Sequence, residues 1–164
     1  MAYCVLDLET TGLNPAENEI IEVAAIKVDQ NGSITSYTSL IKPKLPIPGM
    51  ISEITGITNE MVSSSRSASE VLPEFLEFVG DAMIVGHNVQ AFDIPFLEQH
   101  AKRAITNATF DTLLFSRRKL PDLKHSLSAL CQHFHISCDG AHRALRDCEM
   151  TKGLFLALSQ DGKG

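Results

Sequence analysis

The sequence predicts an α/β domain in which a mixed β-sheet is flanked by α-helices. Three observations support this prediction. Apolar runs of strand length come first in the chain, strand-like and helix-like segments alternate in its middle, and helical periodicity dominates towards its end. With 164 residues, 44% of them hydrophobic and 21% charged, the chain has the size and composition of one globular domain, which we place at residues 1–164.

Three adjacent strands are predicted in the N-terminal part. The segment Tyr3–Leu8 is a short and mainly apolar run, which is typical of a buried strand. Ile20–Asp29 and Ser33–Lys42 are also strand-like, and an Asn-Gly pair stands between them. Because Asn-Gly favours the positive φ angles of a tight turn, we expect these two segments to form a hairpin.

The later elements alternate before the pattern becomes helical. Short helical turns are predicted around Ile51–Met61, and a serine-capped helix is expected to end at Val79. Ala82–Val85 and Thr109–Asp111 are predicted strands. A helix is expected to begin at Asp93–Pro95, since proline near the first helical position loses no hydrogen bond. Three further helical segments are predicted, at Leu113–Lys119, Lys124–Phe134 and Arg143–Leu158.

The bulk composition limits the possible partners. A net charge of −6 is unusual for a protein that binds nucleic acid through lysine and arginine. Four of the twenty carboxylates could instead hold two divalent cations, which would then meet a phosphate group. The N-terminal segment is acidic and no long apolar stretch is present, which predicts a protein without membrane contact. The four cysteines include no CxxC pair, which predicts free thiols and a cytoplasmic location.

Four acids and one histidine are the candidate chemical groups. Asp7 and Glu9 are two residues apart on a predicted strand, so their side chains share one face and can reach one metal site. An ordinary surface pair of acids is the alternative. Asp93 follows a strand and begins a helix, where its alternative role is an N-cap. His142 and Asp147 are five residues apart, and five residues of a regular helix turn by about 140°. If both groups serve one site, His142 must therefore precede the helix that carries Asp147. A histidine in that position can accept a proton.

At these residues the chain closely resembles the DnaQ-like, DEDDh exonucleases, which include the proofreading subunit or domain of bacterial replicative polymerases. Asp7–Gly12 is similar to the first motif of that family, His87–Asp93 to the second and His142–Asp147 to the third. The second motif is one residue longer here than in the commonest proofreading form. Ile54–Thr58 and Phe110–Leu113 resemble the family's intervening segments.

The resemblance implies a ribonuclease-H-like fold with a central five-stranded mixed sheet. It also implies hydrolysis from the 3′ end with release of 5′-mononucleotides, and two divalent metal ions, Mg²⁺ or Mn²⁺, which an all-oxygen ligand set suits. By this resemblance Asp7 is expected to bridge both ions, and Glu9, Asp93 and Asp147 are expected to complete the metal site. His142 is expected to act as the general base. The implied partners are a single-stranded or frayed 3′ end of DNA or RNA and a polymerase or other replisome protein.

The same resemblance suggests a set of substrate contacts. Backbone amides near Gly12 are expected to face the sugar and phosphate of the terminal nucleotide, with Leu13 under a base. Ile57 and Phe92 are candidates for the wall of the base pocket, although core packing is the alternative for both. Asp111 is expected to cap a helix. The candidate substrate-binding residues are Thr10, Thr11, Gly12, Leu13, Ile57, His87, Asn88 and Phe92.

The sequence leaves several functional alternatives open. It does not separate DNA proofreading, DNA repair and RNA end processing, because the motifs act on phosphodiesters and sugar discrimination needs contacts to the 2′-hydroxyl group. An oligoribonuclease-type enzyme and a non-catalytic nucleic-acid-binding module are the other candidates. The basic cluster Arg117–Lys119 either follows a phosphate backbone or is a solvated helix end.

Overall fold

A five-stranded mixed sheet forms the centre of the molecule. The computed structural model describes residues 1–160 and places the strands in the order β3-β2-β1-β4-β5. Strands β1, β2 and β3 pair antiparallel, whereas β4 and β5 run parallel to β1. The strands are β1 Tyr3–Thr10, β2 Ile20–Val28, β3 Ile34–Leu40, β4 Met83–Gly86 and β5 Thr109–Asp111.

Helices cover both faces of this sheet. A π-helical segment at Val89–Asp93 leads directly into the fourth α-helix. Among residues 1–160, no helix is both long and apolar enough to cross a membrane. The α-helices of this part of the chain are α1 Gly49–Thr55, α2 Asn59–Val62, α3 Ala68–Val79, α4 Ile94–Ala101, α5 Thr112–Lys119, α6 Leu127–His133 and α7 Ala144–Gln160.

The alternation of side chains along β1 separates two hydrophobic layers. Leu6 points to the layer that contains Phe75 of α3 and Phe96 of α4. Val5 points to the opposite layer, where it packs with Cys148 of α7. The predicted arrangement of a mixed sheet between helices is therefore confirmed, and the odd-numbered residues of β1 are the ones that face α7.

The C-terminal end of β1 is shaped to bring α7 close. A β-bulge interrupts the β1–β2 register between Glu9 and Thr10, and bulges bend and twist a strand locally. Asp7 stands opposite Ala24 of β2, whose small side chain leaves space for α7. The thiol of Cys148 on α7 reaches the carbonyl oxygen of Ala24 at 3.4 Å, which shows how closely the helix approaches the sheet.

The predicted β2–β3 hairpin is confirmed, whereas the predicted start of one helix differs from the structure. In the hairpin Gly32 of the Asn-Gly pair adopts a positive φ, 84°, and its amide donates to the carbonyl of Asp29 at 2.9 Å. Helix α6 begins at Leu127 rather than at Lys124. Ser126 caps it by accepting the amide hydrogen of Ala129 at 3.2 Å.

Candidate active site

Three carboxylates meet at the C-terminal end of β1. Asp7 and Glu9 of β1 and Asp147 of α7 offer oxygen atoms that all lie within 4.8 Å of one another. The Oδ2 atom of Asp7 is buried and has no hydrogen-bond partner among residues 1–160. An unpartnered buried carboxylate oxygen is costly, and a divalent cation satisfies such an atom. The three side chains therefore fit a metal that prefers oxygen ligands.

Asp93 is the fourth predicted acid, and it lies beside this group. It is the last residue of the π-helical segment and is only 3% exposed. Among the neighbouring charges, Asp93 makes the largest contribution to the raised pKa of Asp7. Its side chain accepts no capping hydrogen bond at the start of α4, so the structure does not support the N-cap alternative.

Burial and mutual repulsion act against four ionised carboxylates at one place. Burial raises the pKa values of Asp7 and Asp93 well above the ordinary range, and the charges of neighbouring acids raise that of Asp7 further. Burial, followed by the charges of Asp147 and Glu22, raises the pKa of Glu9 to about 9. Burial also raises the pKa of Asp147. A bound dication would offset these shifts, because it favours the ionised form of every ligand.

His142 lies next to the acids in the loop before α7. Helix α7 begins at Ala144, so the predicted position of the histidine ahead of the helix is confirmed. The backbone amide of His142 donates to Oδ1 of Asp147 at 3.0 Å, and the residue adopts a φ of 72°. Its side chain is exposed, and neither ring nitrogen is hydrogen-bonded to another residue in the range 1–160. The imidazole is thus available to accept a proton from solvent or substrate.

A protein-family model described as Exonuclease, of the RNase T type, matches residues 4–155. The chain belongs to the exonuclease family. The matched range begins in β1 and ends in α7, so it includes all four acids and His142. The predicted family and the predicted hydrolytic nuclease activity are confirmed by this match.

Relatives of this exonuclease include replication proteins. The DNA polymerase III subunit epsilon of Aquifex aeolicus is 37% identical over 164 residues, which cover 97% of this chain and 81% of that protein. The PolC-type DNA polymerase III of Thermotoga maritima is 40% identical over 158 residues, which cover 94% of this chain but only 12% of the polymerase. The chain thus spans a small part of the PolC-type relatives.

Solved structures confirm the ribonuclease-H-like fold of the exonuclease. The structure of exonuclease X in complex with 5′-overhanging duplex DNA superimposes with a TM-score of 0.81 at 27% identity, covering 99% of this chain and 93% of that one. Exonuclease I superimposes with a TM-score of 0.82 at 21% identity, and the match covers 98% of this chain and 41% of that one. The second likeness concerns the fold alone.

The loop after β1 in the exonuclease holds its shape through its own threonines. The hydroxyl group of Thr10 donates to the carbonyl of Gly12 at 2.6 Å, and that of Thr11 accepts the amide hydrogen of Glu19 at 2.9 Å. A Cβ atom at Gly12 would lie 2.5 Å from the end of the Asn18 side chain, so a larger residue here would have to displace that side chain. Leu13 is 85% exposed at the tip, which leaves its side chain available for the predicted contact with a base.

Three other predicted contact residues of the exonuclease, His87, Ile57 and Phe92, bond to or pack against neighbouring residues of the protein. His87 uses both ring nitrogens, one with Thr112 Oγ1 and one with the carbonyl of His125, each at 2.8 Å. Ile57 is 0% exposed, so in this structure it presents no surface to a nucleotide and takes the core-packing alternative. Phe92 is partly buried and packs against Phe96 with ring centroids 4.9 Å apart. For these three residues, substrate contact stays a prediction.

Asp111 organises the segment around the second motif of the exonuclease. Its carboxylate accepts the amide hydrogens of Leu113 and Leu114 at the start of α5, which confirms the predicted cap. It also accepts the amide hydrogens of Asn88 and Gln90 at 3.0 and 3.1 Å. The hydrogen bond from Asn88 comes from its backbone amide, so Asp111 holds the backbone of Asn88, which has a φ of 64°, rather than its side chain.

The sequence did not predict a role for one buried acid of the exonuclease, Glu22. Glu22 lies on β2 directly opposite Glu9 and is 3% exposed. The available signal was a single acid inside the apolar run IIEVAAIKV, because an acid inside a buried strand needs a specific partner. That partner is Arg143, which adjoins His142 in sequence but is 121 residues away from Glu22.

Proposed function

We propose that this exonuclease is a metal-dependent enzyme that degrades DNA from the 3′ end and releases 5′-mononucleotides. The observation that supports the proposal most directly is the buried Oδ2 atom of Asp7, which lacks a partner within residues 1–160 although two further carboxylates lie within 4.8 Å. Such an arrangement is unfavourable without cations and suits them well. The exposed histidine beside it supplies the proton acceptor that hydrolysis requires.

Asp7, Glu9, Asp93 and Asp147 would hold two Mg²⁺ or Mn²⁺ ions. When bound, these ions supply activation of the attacking water and charge stabilisation at the leaving 3′ oxygen. His142 takes the proton of the attacking water as general base, and its exposed position allows it to pass that proton to solvent. The hydrogen bond from the His142 amide to Asp147 keeps the base beside the carboxylates.

The substrate end is held by the loop that follows β1. In our proposal the backbone around Gly12 faces the terminal sugar and phosphate, and Leu13 packs under a base. Contacts of this kind do not select a base, so the enzyme would accept any sequence. A single-stranded or frayed 3′ end suits the site, because paired bases would have to separate before Leu13 could pack beneath one.

DNA is the favoured substrate, and a polymerase is the favoured partner. Exonuclease X was solved with duplex DNA, and it shares 27% of its residues with this chain. The epsilon subunit of Aquifex aeolicus belongs to DNA polymerase III, which supports a proofreading role here. In this proposal residues 1–164 form one exonuclease domain that acts in the cytoplasm, where its four cysteines, unpaired within the described residues, remain reduced.

A gel time course tests the activity and its direction. Two oligonucleotides of one sequence, one DNA and one RNA, are labelled at the 5′ end and incubated with Mg²⁺, Mn²⁺ or EDTA. We expect a ladder that shortens from the 3′ end with DNA in either metal and no change in EDTA. A 3′-labelled strand should release its label as a mononucleotide from the first turnover.

Each alternative function gives a different result in this assay. A faster ladder on RNA would favour RNA end processing, and turnover confined to dinucleotides would favour an oligoribonuclease-type enzyme. Full-length bands with both metals would contradict the proposal and favour a binding module. The Asp7→Asn variant serves as the matched inactive control, because it changes one ligand atom and leaves the size of the side chain almost unchanged.

A further inference from the structure

Glu22 occupies a position from which it can act on the third motif without belonging to the metal site. It lies on β2 in direct register with Glu9 of β1, and its side chain is 4% exposed. Even-numbered residues of β2 such as Ala24 face α7, so Glu22 faces the start of that helix. A buried carboxylate without partners would be unstable at this position.

Both oxygens of Glu22 are occupied by the start of α7. Oε1 accepts the Nε hydrogen of Arg143 at 3.1 Å and the amide hydrogen of Ala144 at 2.8 Å. Oε2 accepts from Nη2 of Arg143 at 2.8 Å. This is the two-pronged geometry that makes arginine–carboxylate pairs strong and directional. Because the donors are already in place, Glu22 is poorly suited to be a further metal ligand.

The residues held by Glu22 immediately follow His142. His142 adopts a φ of 72°, a region that is unfavourable for residues other than glycine, so the surrounding contacts must maintain it. On one side its amide is bonded to Asp147, and on the other side Arg143 and Ala144 are bonded to Glu22. The histidine is thus fixed between the helix and the sheet.

We infer that Glu22 and Arg143 are a positioning pair that sets the catalytic geometry of His142. This inference rests on the proposed function, in which His142 is the general base. Glu22 is not itself a metal ligand in this inference, because both of its oxygens already accept hydrogen bonds from Arg143 and Ala144. It acts by fixing the backbone on which the base stands, and catalytic rates are sensitive to displacements of about 1 Å in such groups.

The test compares Glu22→Gln with the wild type on a labelled DNA strand. Glutamine preserves the size of the side chain and one accepting oxygen but removes the charge and the second acceptor. We expect kcat to fall about 10- to 100-fold while KM for DNA changes by less than about twofold, because the change affects the transition state and not ground-state binding. Calorimetric Mn²⁺ affinity should be unchanged.

Two further variants separate positioning from general loss of structure. Arg143→Lys keeps the positive charge but cannot donate two parallel hydrogen bonds to the carboxylate of Glu22. Its kcat should therefore lie between those of the wild type and Glu22→Gln. In a His142→Ala background, Glu22→Gln should reduce kcat by less than about twofold, because residues that act as a unit are not additive.

The exposed pair Arg66–Glu74 provides the matched control. It is also a two-pronged arginine–carboxylate pair, with Nη1 and Nη2 of Arg66 each 2.8 Å from an oxygen of Glu74. Its side chains are 46% and 51% exposed, and it links the middle of α3 to the preceding loop. Glu74→Gln removes an equivalent pair and should leave kcat, KM and Mn²⁺ affinity unchanged. An equal fall in kcat for Glu74→Gln would overturn the inference.

The other outcomes are also decisive. Unchanged kcat in Glu22→Gln, a lower Mn²⁺ affinity in that variant, or full additivity with His142→Ala would each overturn the positioning role. If His142→Ala itself keeps the wild-type rate, the proposed general base fails and this inference fails with it. If His142→Ala is slow while Glu22→Gln matches the wild type, only this inference fails.

Discussion

At the scale of single residues, Asp7 shows most directly what the site requires. Its Oδ2 atom is buried without a partner in the described part of the chain, and burial together with nearby acids raises its pKa. The sequence predicted this residue from its spacing to Glu9, because residues two apart on a strand share a face. The sequence did not indicate that one oxygen would lack a donor, since that depends on the approach of α7.

Asp7→Asn should abolish hydrolysis and raise the thermal unfolding midpoint measured in EDTA. The substitution removes a proposed metal ligand and also a carboxyl group whose ionised form burial and the neighbouring acids disfavour. A gel assay in Mg²⁺ and a thermal melt in EDTA measure the two effects. Asp81→Asn, at an exposed acid before β4, should change neither. Turnover near the wild-type rate would remove Asp7 from the site.

His142→Ala should slow hydrolysis by about 10²- to 10⁴-fold, which is the usual contribution of a positioned general base. Mn²⁺ affinity, measured by calorimetry, should persist, because the four acids that we propose as metal ligands remain. His133→Ala, at an exposed histidine on α6, should behave as the wild type. Loss of Mn²⁺ binding in His142→Ala would instead identify the histidine as a metal ligand.

At the scale of elements, Asp111 joins β5, α5 and the π-helical segment. Its carboxylate accepts four amide hydrogens, two from the segment after β4 and two from the start of α5. The whole residue Asp111 is only 5% exposed. The sequence predicted the cap on α5, since aspartate before a helix favours that role. The two bonds to the segment after β4 were not predictable, because they connect residues more than twenty positions apart.

Asp111→Ala should lower the free energy of unfolding by about 2–3 kcal/mol, since it removes a helix cap and leaves four partly buried amides without their acceptor. Urea denaturation measures the change. Thr58→Ala is the control, because Thr58 also caps a helix but accepts a single amide hydrogen, from Met61, in an exposed position. A loss for Asp111→Ala no larger than that for Thr58→Ala would contradict the bridging role.

The π-helical segment explains the longer second motif. A π-helical turn accommodates one extra residue in a helical path. At Val89–Asp93 the amide of Ile94 reaches back to the carbonyl of Val89, five residues earlier. Asp93 therefore lies close to Asp7 although the motif is one residue longer than in the forms that the sequence resembles. The motif's ends were predictable from residue identity, whereas the way in which the extra residue is absorbed was not.

At the scale of the whole molecule, strands and helices were mostly predicted within a few residues, because apolar periodicity reports which face is buried. The pairing of Glu22 with Arg143 was not predicted, because it depends on how β2 and α7 meet in space. The same meeting brings several acids together at one end of the sheet. The formal net charge of −6 counts these acids as ionised, whereas burial raises their pKa values in the metal-free protein.

The stability of the metal-free protein should fall as the pH rises. Glu9 has a pKa of about 9 when folded, compared with 4.5 for the ordinary side chain. Between these values the folded state holds a proton that the unfolded chain has released, so the free energy of unfolding decreases with rising pH. Urea titrations in EDTA from about pH 5 to pH 9 measure this slope. Saturating Mg²⁺ should flatten it, and stability that rises with pH in EDTA would contradict the assignment.

The position of α7 at the end of the fold has a consequence for biosynthesis. Asp7, Glu9 and Asp93 leave the ribosome long before Arg143, His142 and Asp147, yet β1 and β2 need α7 to cover their second face. A nascent chain that lacks this helix has neither the proposed base nor the last proposed metal ligand. Hydrolysis at the proposed site therefore has to wait until residues 142–147 have been translated.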